Sequence, residues 1–239
     1  MSVLRGAGRP ERALVLRTDA ELAGSLEGPR RAHAEQASGA VVLRRPSGTW
    51  EAREDADRGR DGAGLLVLEG ILVRSVGIED RYGAELLGPG DLLQPWRHDG
   101  EQVTLPFEAA WRVLADLRLA VLDLAWLTRM APFPEVAAAL AERGLLRSRR
   151  LATMLAIAQH HRLEHRLLLL FWELADRYGR VGPDGVRLQL ALTHELVSYL
   201  AAARRPSVSA ALSRLEREGA LSRSGDRWLL HGEPPVTPG

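Results

Sequence analysis

The chain has 239 residues, 46% hydrophobic and 26% charged, enough for one large domain or two compact ones with separate cores. Its formal net charge is only +1, which excludes an overall positive field, so any contact with nucleic acid must come from a local cluster of charge. Cysteine is absent, which excludes disulfides, zinc–thiolate sites and cysteine-ligated iron–sulfur clusters and fits a reducing cytoplasm.

Every basic residue is arginine, whose fork of donors suits phosphate and guanine edges. The N-terminal residues carry Arg5 and Arg9 but no apolar h-region, so no signal peptide is expected. Residues 1 to about 40 alternate short apolar clusters with Gly, Pro and charge and give no firm element. From 41 to 123 the pattern is short strands with turn punctuation. Val41-Val42-Leu43 is the first run; Leu65 to Leu68 and Ile71 to Val73 flank Glu69-Gly70; Tyr82 to Leu87 and Leu119 to Leu122 complete the series. Gly88-Pro89-Gly90-Asp91 is a strong turn signal, and the charged, Gly-rich residues 53–64 read as an exposed loop. Strands of this spacing suggest an antiparallel sandwich or barrel.

Beyond Pro134 the period changes. Leu140, Gly144, Leu151, Leu155 and Ala158 fall near one face of a helix, interrupted by Arg147 and Ser148, and Gly144 is a place where it can kink or split. Leu163, Leu167, Leu170, Leu174 and Tyr178 define a second amphipathic helix that stops at Gly179. The apolar run inside it, Leu167 to Trp172, is flanked by Arg166 and Glu173 and falls far short of the roughly 20 residues of a bilayer span, so no membrane partner is expected.

The segment from 192 to 215 carries the chemistry. Thr193 is an N-cap candidate, and Leu196, Val197 and Leu200 give the buried face of a short helix. Ala201 to Ala203 permit a tight turn. Pro206 fits the first turn of a second helix, whose apolar face is Val208, Ala211, Leu212 and Leu215. Two short helices joined by a small-residue turn match a helix-turn-helix, whose second helix enters the major groove N-terminus first. Arg204, Arg205, Ser207 and Ser209 sit at that end, with Arg214 and Arg217 farther along. From 204 to 223 there are five Arg against Glu216 and Glu218. Residues 221–230 then read as a hairpin turning at Ser224-Gly225-Asp226, with Arg223 and Arg227 on it. The same pattern also describes a small three-helix bundle with solvated arginines.

Residues 163–231 resemble the DNA-binding domain of the Crp/Fnr family of bacterial transcription regulators, and the preceding β-rich region and connecting helix follow that family's order. The resemblance implies an α+β fold: a β-roll sensor domain of cyclic-nucleotide-binding type (1–133), a connecting dimerisation helix (134–160) and a C-terminal winged helix-turn-helix (161–239). It implies a homodimeric, non-enzymatic, cytoplasmic regulator; from the residues, no cofactor or metal is expected. Its partners would be double-stranded DNA, a small-molecule effector of unspecified kind and RNA polymerase. The DNA-contacting set expected is Thr193, Arg204, Arg205, Ser207, Ser209, Arg214 and Arg223, with Arg205 and Ser207 on matching positions of the recognition helix, where the family's Arg reads a guanine. Ala202 stands where the family's turn usually has Gly, and Ala210 where a second DNA-contacting Arg is common.

Other chemistry is weakly marked. The family's cyclic-nucleotide cassette needs Gly-Glu followed by Arg-Ser or Arg-Thr, whereas Gly90-Asp91 is followed by Leu92-Leu93-Gln94-Pro95-Trp96-Arg97-His98-Asp99, so cyclic-nucleotide binding is not expected. Nothing marks Arg112 or Arg118 as a substitute. Trp50, Trp96 and Trp111 are better read as core than as a ligand cavity. His161 and His165 have metal-ligand spacing, but with only His160 and Glu164 beside them they read as solvated or hinge residues. His194-Glu195 lacks the second His of a zincin motif. The alternative, a β-barrel binding or metal-enzyme domain with a helical appendage, needs about three inward ligands and finds only His33 and His98.

Overall fold

The structure, a computed structural model, describes residues 10–79, 81–95, 107–225 and 227–235. Trp96, Arg97, His98 and Asp99, and with them half of the expected cassette region, lie outside the described residues, as do Asp80 and Asp226. The chain divides into two compact units, one of Met1–Arg74, Leu86–Pro106 and Ala110–Ser148, the other of Ser75–Glu85, Phe107–Ala109 and Arg149–Gly239.

The first unit is built on a seven-stranded sheet. Its strands are β1 (Arg12–Leu14), β2 (Gly39–Arg45), β3 (Gly48–Thr49), β4 (Gly64–Ile78), β5 (Arg81–Leu87), β6 (Leu92–Leu93) and β7 (Glu108–Leu122), with the ends of β4, β5 and β7 that fall within 75–85 and 107–109 belonging to the second unit. The order is β1-β2-β7-β4-β5, with β3 on β7 and β6 on β4. Antiparallel register sets Val41 opposite Val121 and Leu43 opposite Leu119. Both faces are buried, which is why the strands read as unbroken apolar runs rather than alternating ones. Leu43, Leu65, Val67, Leu119 and Val121 join Trp50 and Leu72 in one cluster. Their neighbours Val42, Leu66, Leu68, Ala120 and Leu122 pack instead with Leu16, Leu22, Leu26, Trp126 and Phe133.

Three sequence readings are corrected here. Leu65–Leu68 and Ile71–Val73 are one 15-residue strand, not two runs about a break. Gly70 passes the strand through with φ of 90°, where a side chain would meet the Asp116 carbonyl at 2.2 Å. Residues 53–64 are not simply an exposed loop, because Ala52–Arg58 forms a 3₁₀ turn that buries Asp55. That carboxylate accepts from Arg45 Nε at 2.9 Å and from Trp50 Nε1 at 3.0 Å, and pairs with Arg45 Nη2 as well. The N-terminal region, which shows no firm element in the sequence, holds β1 with the helices α1 (Val15–Thr18) and α2 (Gly28–Ala37), whose apolar residues are too sparse to show a period.

Asp123 caps α3 (Leu124–Met130) by accepting from Trp126 N at 2.7 Å. The long helix α4 (Pro134–Ala158) follows, uninterrupted at Gly144. Its first half is tied to the β unit: Val136 and Leu140 are buried, Arg143 pairs with Asp19 and donates to Gly90 O, and Arg147 donates to Leu92 O. Among the described residues no helix is long and apolar enough to cross a membrane. Replacing Asp55 with Ala leaves the Trp50 N–H and the Arg45 fork without their acceptor, and should cost about 2 kcal/mol in denaturant unfolding followed by tryptophan fluorescence. Unchanged stability would show that the pair is not a structural tie.

Candidate nucleic-acid interface

The second unit gathers helices α5 (Leu163–Tyr178), α6 (His194–Leu200) and α7 (Arg205–Arg217) with a four-stranded sheet. The sheet comprises β8 (Gly179–Gly182), β9 (Gly185–Leu188), β10 (Leu221–Ser224) and β11 (Arg227–Leu230), in the order β10-β11-β9-β8. The β8–β9 hairpin has no counterpart in the sequence reading, because four-residue strands with Gly at their ends carry too little pattern to separate from loop. The hairpin at 221–230 is present, pairing Leu221 with Leu230 and Ser222 with Leu229.

One core holds these elements. Leu167, Leu170, Phe171 and Leu174 of α5 are buried, as are Leu196, Val197 and Leu200 of α6, Val208, Ala211, Leu212 and Leu215 of α7, and Trp228 of β11. The Phe171 and Trp228 rings meet edge to face at 5.1 Å. Thr193 caps α6 by accepting from Leu196 N at 3.1 Å. The turn that follows requires a left-handed residue, and Ala202 supplies it with φ of 47°. Arg166 clasps this turn, donating to Ala201 O at 3.1 Å and, through Nε at 2.9 Å, to His160 O just before α5. Pro206 lies in the first turn of α7, where no backbone N–H is missed.

The outward face of α7 follows from its buried one. Arg205, Ser207, Ala210, Ser213, Arg214 and Arg217 are all exposed, with Arg204 just before them as the N-cap residue. Thr193 is exposed where α6 begins. The expected residues are not equally available. Arg204, Arg205 and Ser207 stand in the open at the start of α7, whereas Arg214 is engaged by Glu164 of α5. Ser209 is turned inward, its Oγ 2.9 Å from His194 Nδ1. Arg223, on the hairpin, donates from Nε to Gly225 O at 2.9 Å and lies over the Trp228 ring. Arg227 beyond it is exposed.

His194 joins this cluster although its sequence position suggests only an incomplete zincin motif. Its contact with Ser209 spans 15 residues and crosses from one helix to another, so no local period could reveal it. Burial first, then the Arg223 guanidinium, holds its pKa below the usual histidine value; Arg205 acts in the same direction and Glu216 opposes them. The His160 and His165 rings meet edge to face at 4.9 Å, and among the described residues no group of three His, Cys, Asp or Glu is placed to hold a metal.

Residues 161–232 match the Crp-like helix-turn-helix domain family. No curated protein matches the chain. Solved structures with the same fold include a mutant CooA from Carboxydothermus hydrogenoformans, with 18% identity and a TM-score of 0.60 over 80% of this chain and 83% of that one. FixK2 from Bradyrhizobium japonicum is similar at 20% identity and TM-score 0.58, covering 81% and 93% of the two chains. The CRP-family transcriptional regulator TTHB099 from Thermus thermophilus aligns at 22% identity and TM-score 0.57, covering 80% and 92%.

The strained turn yields a stability prediction. Ala202→Gly relieves the left-handed penalty on a side chain, partly offset by the greater freedom of glycine when unfolded, and should stabilise the second unit by about 0.5–1 kcal/mol. Thermal unfolding of the variant beside wild type checks this; a lower melting temperature would mean that the Ala202 methyl is a packing contact.

Proposed function

We propose that this chain is a DNA-binding transcription regulator of the Crp/Fnr family: as a homodimer it reads a pseudo-palindromic operator through two copies of α7, under control of a signal received at the β unit. The observation that carries the reading is the exposed N-terminal end of α7, where Arg204, Arg205 and Ser207 project beyond the turn that Arg166 clasps. In this geometry Arg205 can bond O6 and N7 of one guanine together, whereas Arg223 and Arg227 on the hairpin touch phosphate, which adds affinity without sequence information. The functional division is a sensor at 1–133, a connecting helix at 134–160 and a DNA-binding domain at 161–239. The protein acts in the cytoplasm, where its DNA and RNA polymerase are found, and it has regulatory rather than enzymatic work to do.

The second half of α4 supports the dimer. Leu151 and Leu155 are 41% and 67% exposed, one turn apart, and Gly144 and Ser148 continue their face toward the N-terminus with small side chains. Two such faces related by a two-fold axis bury each other and set two recognition helices on half-sites roughly 34 Å apart, one turn of the duplex.

Two experiments test this reading. Arg205→Ala should lose about 1–3 kcal/mol of base discrimination on a duplex selected from a random library, flattening the preference at one position per half-site. Arg223→Ala should weaken selected and scrambled duplexes alike and lower the salt slope by about one unit. Equal weakening of both duplexes by Arg205→Ala would make that residue a phosphate contact, and a wild type that binds neither duplex would end the DNA assignment. The dimer is checked by light scattering of Leu151→Asp with Leu155→Asp: monomers are expected, and an intact dimer would move the interface elsewhere.

A further inference from the structure

His194 opens α6 directly after the Thr193 cap, and its ring meets the recognition helix through Ser209. Every element around it presents a defined group. From α7 come the Ser209 hydroxyl at 2.9 Å, the Arg205 guanidinium and the Glu216 carboxylate. From β10 comes Arg223, and from β11 the uncharged Trp228 ring, centred 6.3 Å away. Two cations therefore face the imidazole against one anion. Both cations are ones a duplex would engage, Arg223 through its backbone and Arg205 through a guanine.

The hydrogen bond to Ser209 makes the charge of the ring consequential. A neutral imidazole can accept at Nδ1, and the Ser209 O–H is then spent inward, leaving only oxygen lone pairs toward solvent. An imidazolium must donate from Nδ1 to Ser209 Oγ, which releases the hydroxyl hydrogen to point outward. Phosphate oxygens accept and do not donate, so Ser209 can bond the backbone only when Nδ1 carries a proton; the neutral ring does so in one of its two tautomers, the imidazolium always. A phosphate arriving beside Arg223 also cancels the larger like charge that opposes the imidazolium and adds a negative charge of its own.

We propose that His194 is a proton-linked positioning residue of the DNA interface: it takes up a proton as the duplex docks, donates to Ser209 Oγ, and so frees the Ser209 hydroxyl to donate to a phosphate. This rests on the DNA-binding reading above. The sign follows from linkage. The pKa of His194 is higher in the complex than in the free protein, so affinity rises as pH falls through the interval between the two values and is level well above both.

The test uses the full-length protein and a duplex selected from a random library, titrated at pH 6, 7 and 8 at fixed ionic strength. Wild type should gain about three- to tenfold in affinity per half-site from pH 8 to pH 6, and His194→Asn, which keeps a hydrogen-bonding group but does not titrate, should lose most of that gain. An equal gain in the variant, or none in wild type, overturns the proposal. Should the variant fail to fold, the histidine Cε1–H resonances of wild type, titrated free and on the duplex, read the same quantity: an upward displacement of the His194 pKa supports the proposal and an unchanged value overturns it. A wild type that binds no duplex at any pH overturns the DNA reading and this inference with it, whereas tight binding with a flat pH profile overturns this inference alone.

Discussion

Helix α7 can turn only one face outward because the other is committed to the core. Val208, Ala211, Leu212 and Leu215 are buried in the unit that carries Phe171 and Trp228. Full burial of a Val or Leu side chain is worth about 1.5–3 kcal/mol, so rotating α7 by one residue, about 100°, would expose several such groups and drive polar ones into their place. Nothing else in the unit has that leverage. The position of Arg205 and Ser207 at the outward end and the approach of Ser209 to His194 follow from which stripe of α7 is apolar.

Charge then divides into structural and outward-facing work. In the first unit Arg45 holds Asp55, Arg143 holds Asp19, and Arg118 bridges Glu11 and Glu69. Other arginines serve carbonyl oxygens at element ends: Arg166 on Ala201 and His160, Arg129 on Gly39, Arg147 on Leu92. A planar fork reaches two acceptors at once in a way a lysine ammonium does not, so an all-arginine composition is used inside the fold as well as on its surface. With a net charge of only +1, the outward arginines of α7 and of the β10–β11 hairpin act as a local field rather than as part of a basic surface.

The elements most legible in the sequence are those whose burial repeats. Leu163, Leu167, Leu170 and Leu174 give α5 its period, Thr193 announces the start of α6 by its capping chemistry, and Pro206 marks the first turn of α7. Features made by distant residues are not legible. The union of the two runs around Gly70 depends on the carbonyl of Asp116, and the burial of Asp55 depends on Arg45 and Trp50 arriving from β2 and the turn beyond β3. The same holds at the interface: the outward arginines follow from helical spacing, but the engagement of Arg214 by Glu164 and of Ser209 by His194 is set by which helices meet. Local patterns therefore locate the outward face of α7, and tertiary contacts decide how its residues are shared between holding the fold and standing in the open.

The long helix shows the same division along its own length. Its opening turns bury Val136 and Leu140 and use Arg143 and Arg147 as ties, so that part of α4 is fixed by contacts within one chain. From Leu145 onward the helix changes character: Leu145, Leu146, Leu151 and Leu155 are all exposed, whereas Leu167, Leu170 and Leu174 of α5 are buried. Isolated exposed leucines need no explanation, but a run of them along one helix does, because covering them releases the water they order. A second copy offers the one surface guaranteed to match, since a two-fold axis sets each apolar residue against its own equivalent or a near neighbour. In the proposed dimer the amphipathic pattern of α4 has two consumers, the sheet for its first turns and a partner helix for its last, and Arg147 stands where one gives way to the other.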